Sequence, residues 1–92
     1  TTGIEENYLN SAVTLYPSIT SGLVNIDYNL DKGIDLNVVI YDMAGRIVYS
    51  IVENNAVNGT MNIDLTNLAN GQYSAKIFTN DAAMFRNISI QK

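Results

Sequence analysis

The stretch "LVNIDYNL", residues 23–30, alternates apolar and polar side chains without a break. Val24, Ile26, Tyr28 and Leu30 fall on one side, Asn25, Asp27 and Asn29 on the other. Successive side chains of an extended strand point to opposite faces, so this pattern describes a strand with one dry side and one wet side. The same period of two recurs in "DLNVVIYD", "MNIDL" and "GQYSAKIFT". Nowhere do apolar residues hold the i, i+3, i+4, i+7 spacing over helical length. A chain patterned in this way is confined to sheet.

Turn-forming residues punctuate the runs. Pro17 stops a first strand, "AVTLYP", and "TSG" (20–22), "DKG" (31–33) and "NDA" (80–82) read as turns. "ENNAVNGT" (53–60) reads as a loop, and Asn70-Gly71 as a turn whose residues both accept positive φ, feeding a half-buried strand with Tyr73, Ala75 and Ile77 on one face. Met61, Ile63, Leu65, Ile88 and Ile90 are expected to point inward. Seven short strands at fairly even spacing predict an all-β fold, a small antiparallel immunoglobulin-like β-sandwich.

"DLNVVIYDMAGRIVYSIV" reads as a hairpin. Gly45 stands where a type I turn followed by a bulge needs a left-handed residue, and Asp42 opens the turn with a side chain able to bind backbone N–H groups. Pairing Asp42 with Arg46 sets Ile40 opposite Val48 and Val38 opposite Ser50. Leu36, Val38, Ile40 and Val48 are then core, and Tyr41 and Tyr49 sit diagonally on the other face.

Composition narrows the function classes. Ninety-two residues make one domain, with 47% hydrophobic and 15% charged residues, which is not a disordered composition. The net charge is −4 and the five basic residues are scattered, which argues against nucleic acid and anionic membrane as partners. The longest apolar run falls far short of a membrane span. The chain has no Cys and no His. It therefore lacks disulfides, thiolate nucleophiles and imidazole bases or ligands. Thr1 is not a natural start, so the chain is expected to be part of a longer protein, with 1–11 a linker and 12–92 the domain.

The residues that remain offer little chemistry. Asp27, Asp31, Asp35, Asp42, Glu53, Asp64 and Asp81 are spread over several turns, without the ladder of oxygens a calcium loop needs. Ser74 and Lys76 share a strand face as i and i+2, but Lys76 would have to be desolvated to act as a base. Neither an enzyme nor a cofactor is expected. Tyr41 and Tyr49 raise the alternative of a glycan-binding or adhesive module, and a structural spacer is a third reading.

Taken in order, "LYPSITSGLVNID", "VVIYDMAGRIVYS", "IDLTNLANGQYSAKIF" and "FRNISIQK" resemble the C-terminal sorting domain of the type IX (Por) secretion system, type A. The resemblance spans nearly the whole chain and departs from the family pattern at Ser18-Ile19, where Asn-Pro is usual. Its specific parts are Asp42 with Gly45-Arg46, Leu68 with Gly71 and Tyr73, and a basic residue at the C-terminus. It implies a non-enzymatic signal at the end of an exported cargo. Such a cargo is carried through the periplasm and read by the outer-membrane secretion machinery. A surface peptidase-transpeptidase then cuts in or before "TTGIEENYLNS", and the cargo reaches the cell surface or the medium. Asp42, Gly45, Arg46, Gly71, Tyr73, Arg86 and Lys92 become the candidate recognition residues.

Overall fold

The computed structural model describes residues 12–80 and 82–92, apart from the side chains of Asp31 and Lys32. The linker expected over 1–11 and Asp81 of the "NDA" turn lie outside the described residues. Six strands follow in order: β1 (Val13–Tyr16), β2 (Ile19–Thr20), β3 (Leu23–Tyr41), β4 (Ile47–Asp64), β5 (Gly71–Phe78) and β6 (Ala83–Ile90). They form one sheet in the order β1-β3-β5-β6-β2, with β4 on β3. The first part of β3 runs between β1 and β4, and its last part between β4 and β5. β3 and β4 thus carry the sheet from one half of the molecule into the other.

One face of the sheet is dry along its whole course. Val24, Ile26, Tyr28, Leu30, Leu36, Val38 and Ile40 of β3 are all buried. They join one cluster with Val13, Met61, Ile63, Ala75, Ile77, Met84, Ile88 and Ile90. Because both halves bury the same face in the same cluster, the sheet wraps around its core. The inward residues expected from alternation lie there, with Val48 and Tyr73 only half-buried and packed against it.

The all-β reading holds, while the count and several details change. "DKG" is not a turn between strands, because β3 runs through it. "ENNAVNGT" is not a loop, because β4 runs through it. Two pairs of expected strands thereby merge, and Ile19–Thr20 adds a short one. The pairing is not wholly antiparallel: β2 lies parallel to β6, with Ile19 beside Ser89 and Thr20 beside Ile90. Ser18 and Thr20 carbonyls accept the N–H groups of Ser89 and Gln91, both at 2.8 Å, which covers that edge of β6.

The β3–β4 pairing shifts register three times, first between Asn29–Asn58 and Ile34–Ala56, where residues 30–33 stand against Val57 alone. Ile34 pairs with Ala56 and Leu36 with Glu53, so Asp35 faces two residues, Asn54 and Asn55. Asn55 takes φ 55°, and its N–H donates to Asp35 Oδ1 at 3.0 Å. A third shift follows the hairpin, where Tyr41 pairs with Ile47 but Ile40 pairs with Tyr49. Val48 is the extra residue. The expected pairs Ile40–Val48 and Val38–Ser50 are therefore replaced by Ile40–Tyr49 and Val38–Ile51. The slip turns Tyr49 to the face of Ile40 and leaves Tyr41 on the opposite one, so the expected tyrosine pair does not form.

Candidate functional site

The hairpin tip is organised by one carboxylate. Asp42 Oδ1 accepts the N–H groups of Ala44 at 2.9 Å and Arg46 at 3.0 Å, and Oδ2 accepts Arg46 Nε at 2.9 Å. The second guanidinium nitrogen in contact, Nη2, lies 2.9 Å from the same oxygen. These bonds, the Arg46 N–H first, hold the Asp42 carboxyl below the usual aspartate range. Backbone bonds from Asp42 N–H to Arg46 O and from Gly45 N–H to Asp42 O close the turn. Gly45 takes φ 85°, a conformation that costs a residue with a Cβ. Asp42, Gly45 and Arg46 therefore form one local unit, as their spacing predicts.

Tyr73 connects this region to the loop before β5. Its hydroxyl donates to Ala69 O at 2.7 Å, four residues back, the arrangement of a tyrosine corner. Asp42, Gly45 and Tyr73 also border an open groove of about 460 Å³, together with Tyr41, Met43 and Phe85. Gly71 opens β5. Asn70 is not at positive φ, so the two-residue turn expected at Asn70-Gly71 is replaced by a longer loop, closed by Leu68 N–H to Leu65 O at 3.0 Å.

The C-terminal tail is docked on that loop. Lys92 Nζ donates to Thr66 O at 2.7 Å, and the Lys92 N–H donates to Asn70 Oδ1 at 3.2 Å. Asp64 shapes the same loop from its other end, where Oδ1 accepts the Thr66 N–H at 2.9 Å and the Thr66 hydroxyl at 2.6 Å. Those bonds hold the Asp64 carboxyl below the usual range. The sequence does not single out Thr66 and marks Asn70 only as a turn residue. Their contacts reach 26 and 22 residues along the chain, and no local pattern marks them.

Arg86 stands apart from the other candidates. It pairs with Ala75 and so shares the inward side of β6 with Met84 and Ile88, where its Nη1 donates to Phe85 O at 2.8 Å. The structure thus gathers Asp42, Gly45, Arg46 and Tyr73 at one end of the sheet and joins Lys92 to the loop that Tyr73 braces. Arg86 is left on the other face. Ser74 and Lys76 lie on the outer face, with the Lys76 ammonium 4.7 Å from the Phe78 ring centre. Among the described residues, no cluster of acidic side chains could hold a metal ion, and no helix is long and apolar enough to cross a membrane.

No curated protein matches the chain. The family model of the secretion-system C-terminal sorting domain matches residues 14–91, from within β1 to Gln91. The hairpin and strands β2 to β6 fall inside that match, which ends one residue before Lys92, and the chain belongs to the family of type IX sorting domains.

Proposed function

We propose that the chain is the C-terminal signal of an exported cargo protein, with 1–11 the linker to the cargo and 12–92 the sorting domain. The match to the sorting-domain family over 14–91 carries the reading. On this reading the cargo crosses the periplasm, the outer-membrane machinery reads the folded domain, and a surface peptidase-transpeptidase cuts ahead of β1. Asp42, Gly45, Arg46, Gly71, Tyr73, Arg86 and Lys92 are the proposed recognition residues. Two features support this. The hairpin tip is already shaped by the Asp42 bonds, so a partner that binds it pays little ordering entropy. The tail presents Lys92 from a defined place on the 65–70 loop.

The test is a fusion of all 92 residues to the C-terminus of a fluorescent protein that carries an export leader, in a host with the type IX system. Fluorescence is expected at the cell surface or in the medium. Deleting Gln91–Lys92 spares every core isoleucine and should trap the fusion inside the outer membrane. Lys92→Ala should also reduce export while costing less than ~0.5 kcal/mol of stability, as an exposed substitution does. Undiminished export of the Gln91–Lys92 deletion, or no export of the intact fusion, overturns the reading.

A further inference from the structure

The two outer faces of the sheet differ in kind. Over the first half, the outward positions are mostly polar, Thr14, Tyr16, Asn25, Asp27, Thr60 and Asn62, with Leu23 the apolar exception. The Tyr16 and Thr60 hydroxyls donate to the Asp27 carboxylate at 3.1 and 2.6 Å. Apart from Leu23, that face is suited to water. Over the second half, the register turns Val39, Tyr41, Val52, Phe78 and Phe85 outward around Lys76. Phe85 is 61% exposed, and Ile47, paired with Tyr41, is 63% exposed. The groove between Tyr41 and Phe85 lies within this face. Asn37, Ser50, Ser74 and Asn87 share the face, and exposed aromatic and aliphatic side chains grouped among polar ones in this way mark interaction sites.

Charge tells which partner fits. The chain carries a net −4, yet among the described residues no free carboxylate faces this patch. Asp27 and Asp64 lie on the outward side of the other half, and Asp35 is bound to the Asn55 bulge. Asp42, at the rim, is paired with Arg46. Lys76 sits at the centre, between Val39 and Phe85 in the ladder, with its ammonium 4.7 Å from the Phe78 centroid and 6.0 Å from that of Phe85. The rings flank the cation, and its three donors take only acceptors.

We infer that this face docks a protein surface of the secretion machinery that presents apolar side chains around a carboxylate. Phe85 is the aromatic anchor, and Lys76 meets the carboxylate. The inference rests on the sorting reading above. The experiment is the same export assay with Phe85→Ser, Lys76→Glu and Lys76→Arg, and with Asn62→Ser on the polar face as control. Melting curves and sedimentation of each 92-residue variant accompany it.

Phe85→Ser and Lys76→Glu should each lower the exported fraction by roughly tenfold, the scale of losing one interface anchor. Asn62→Ser should export normally, and Lys76→Arg, which keeps the charge, should export better than Lys76→Glu. The Lys76 series keeps the test sound if Phe85→Ser melts early. Wild-type export by both Phe85→Ser and Lys76→Glu overturns the docking face. In that case the Gln91–Lys92 deletion, if still trapped, leaves the sorting reading intact. Normal export by Lys76→Glu alone overturns the acidic partner. A wild-type dimer that Phe85→Ser dissociates overturns it in favour of a second copy of the chain.

Discussion

Asp42 binds two backbone N–H groups and one guanidinium, and each bond needs the carboxylate ionised or at least accepting. Its folded pKa lies below its unfolded one, and so does that of Asp64, held by Thr66. A carboxyl of this kind binds fewer protons when folded than when unfolded. Its contribution to stability is complete above the unfolded pKa, near 4 on the ordinary scale, and is lost as pH falls through the folded value. The domain should therefore lose stability below about pH 4. Asp42→Asn keeps an acceptor for the backbone but ends the titration, so its urea midpoint should fall less between pH 7 and pH 3 than that of the wild type. Parallel falls for both would show that Asp42 is not a source of the acid sensitivity. The sequence could be read this far because Asp42, Gly45 and Arg46 interact within five residues, where side-chain chemistry dictates backbone shape. The Lys92–Thr66 and Lys92–Asn70 bonds were invisible for the opposite reason. They depend on where β6 ends in space, which is set by its pairing with β5 and β2.

The long strands show how the same chemistry can be misread at the scale of an element. Gly, Asn and Asp mark turns because they accept unusual φ and bond to their own backbone, and bulges need those same properties. "DKG" and "ENNA" therefore resemble chain reversals, yet they lie in two successive register shifts that the strands run through. Alternation was the sounder guide: the inward residues Val24 to Leu30 and Leu36 to Ile40 keep the same parity on both sides of these shifts. The hairpin register failed by one residue because nothing in "RIVYS" distinguishes Val48 as the extra one. At the first shift, Gly33 is required for close approach, since a Cβ there would overlap Asn55 Oδ1. Gly33→Ala should destabilise the domain by about 1–3 kcal/mol, the usual cost of overpacking. Asn55→Gly removes the obstructing side chain and suits φ 55°, so the double variant should recover most of the loss. A double-mutant cycle from urea melts measures this coupling, and strictly additive effects would place the strain of Gly33→Ala elsewhere.

A type IX sorting domain acts as a signal rather than as a catalyst, and the recognition features proposed here sit at separated points of one sheet. The hairpin tip belongs to β3 and β4, and the tail belongs to β6. They keep a fixed relation only if the molecule folds as one unit. The sheet supplies that unity, because β3 and β4 run unbroken through both halves and one cluster is buried beneath both. Neither half can melt without stripping strands and core from the other. Ile26 lies in the first half and Leu36 in the second, and both are fully buried. Replacing either by Ala should cost about 2–5 kcal/mol, from lost burial and the cavity left behind. Each substitution should move a single transition. Amide signals of β1 and of β6, followed by NMR through a urea titration, should disappear together in the wild type and in both variants. If Ile26→Ala melted β1 while β6 stayed folded, the halves would be separate units. The hairpin and the tail would then be joined by a hinge, and a reader of the signal could not rely on their spacing.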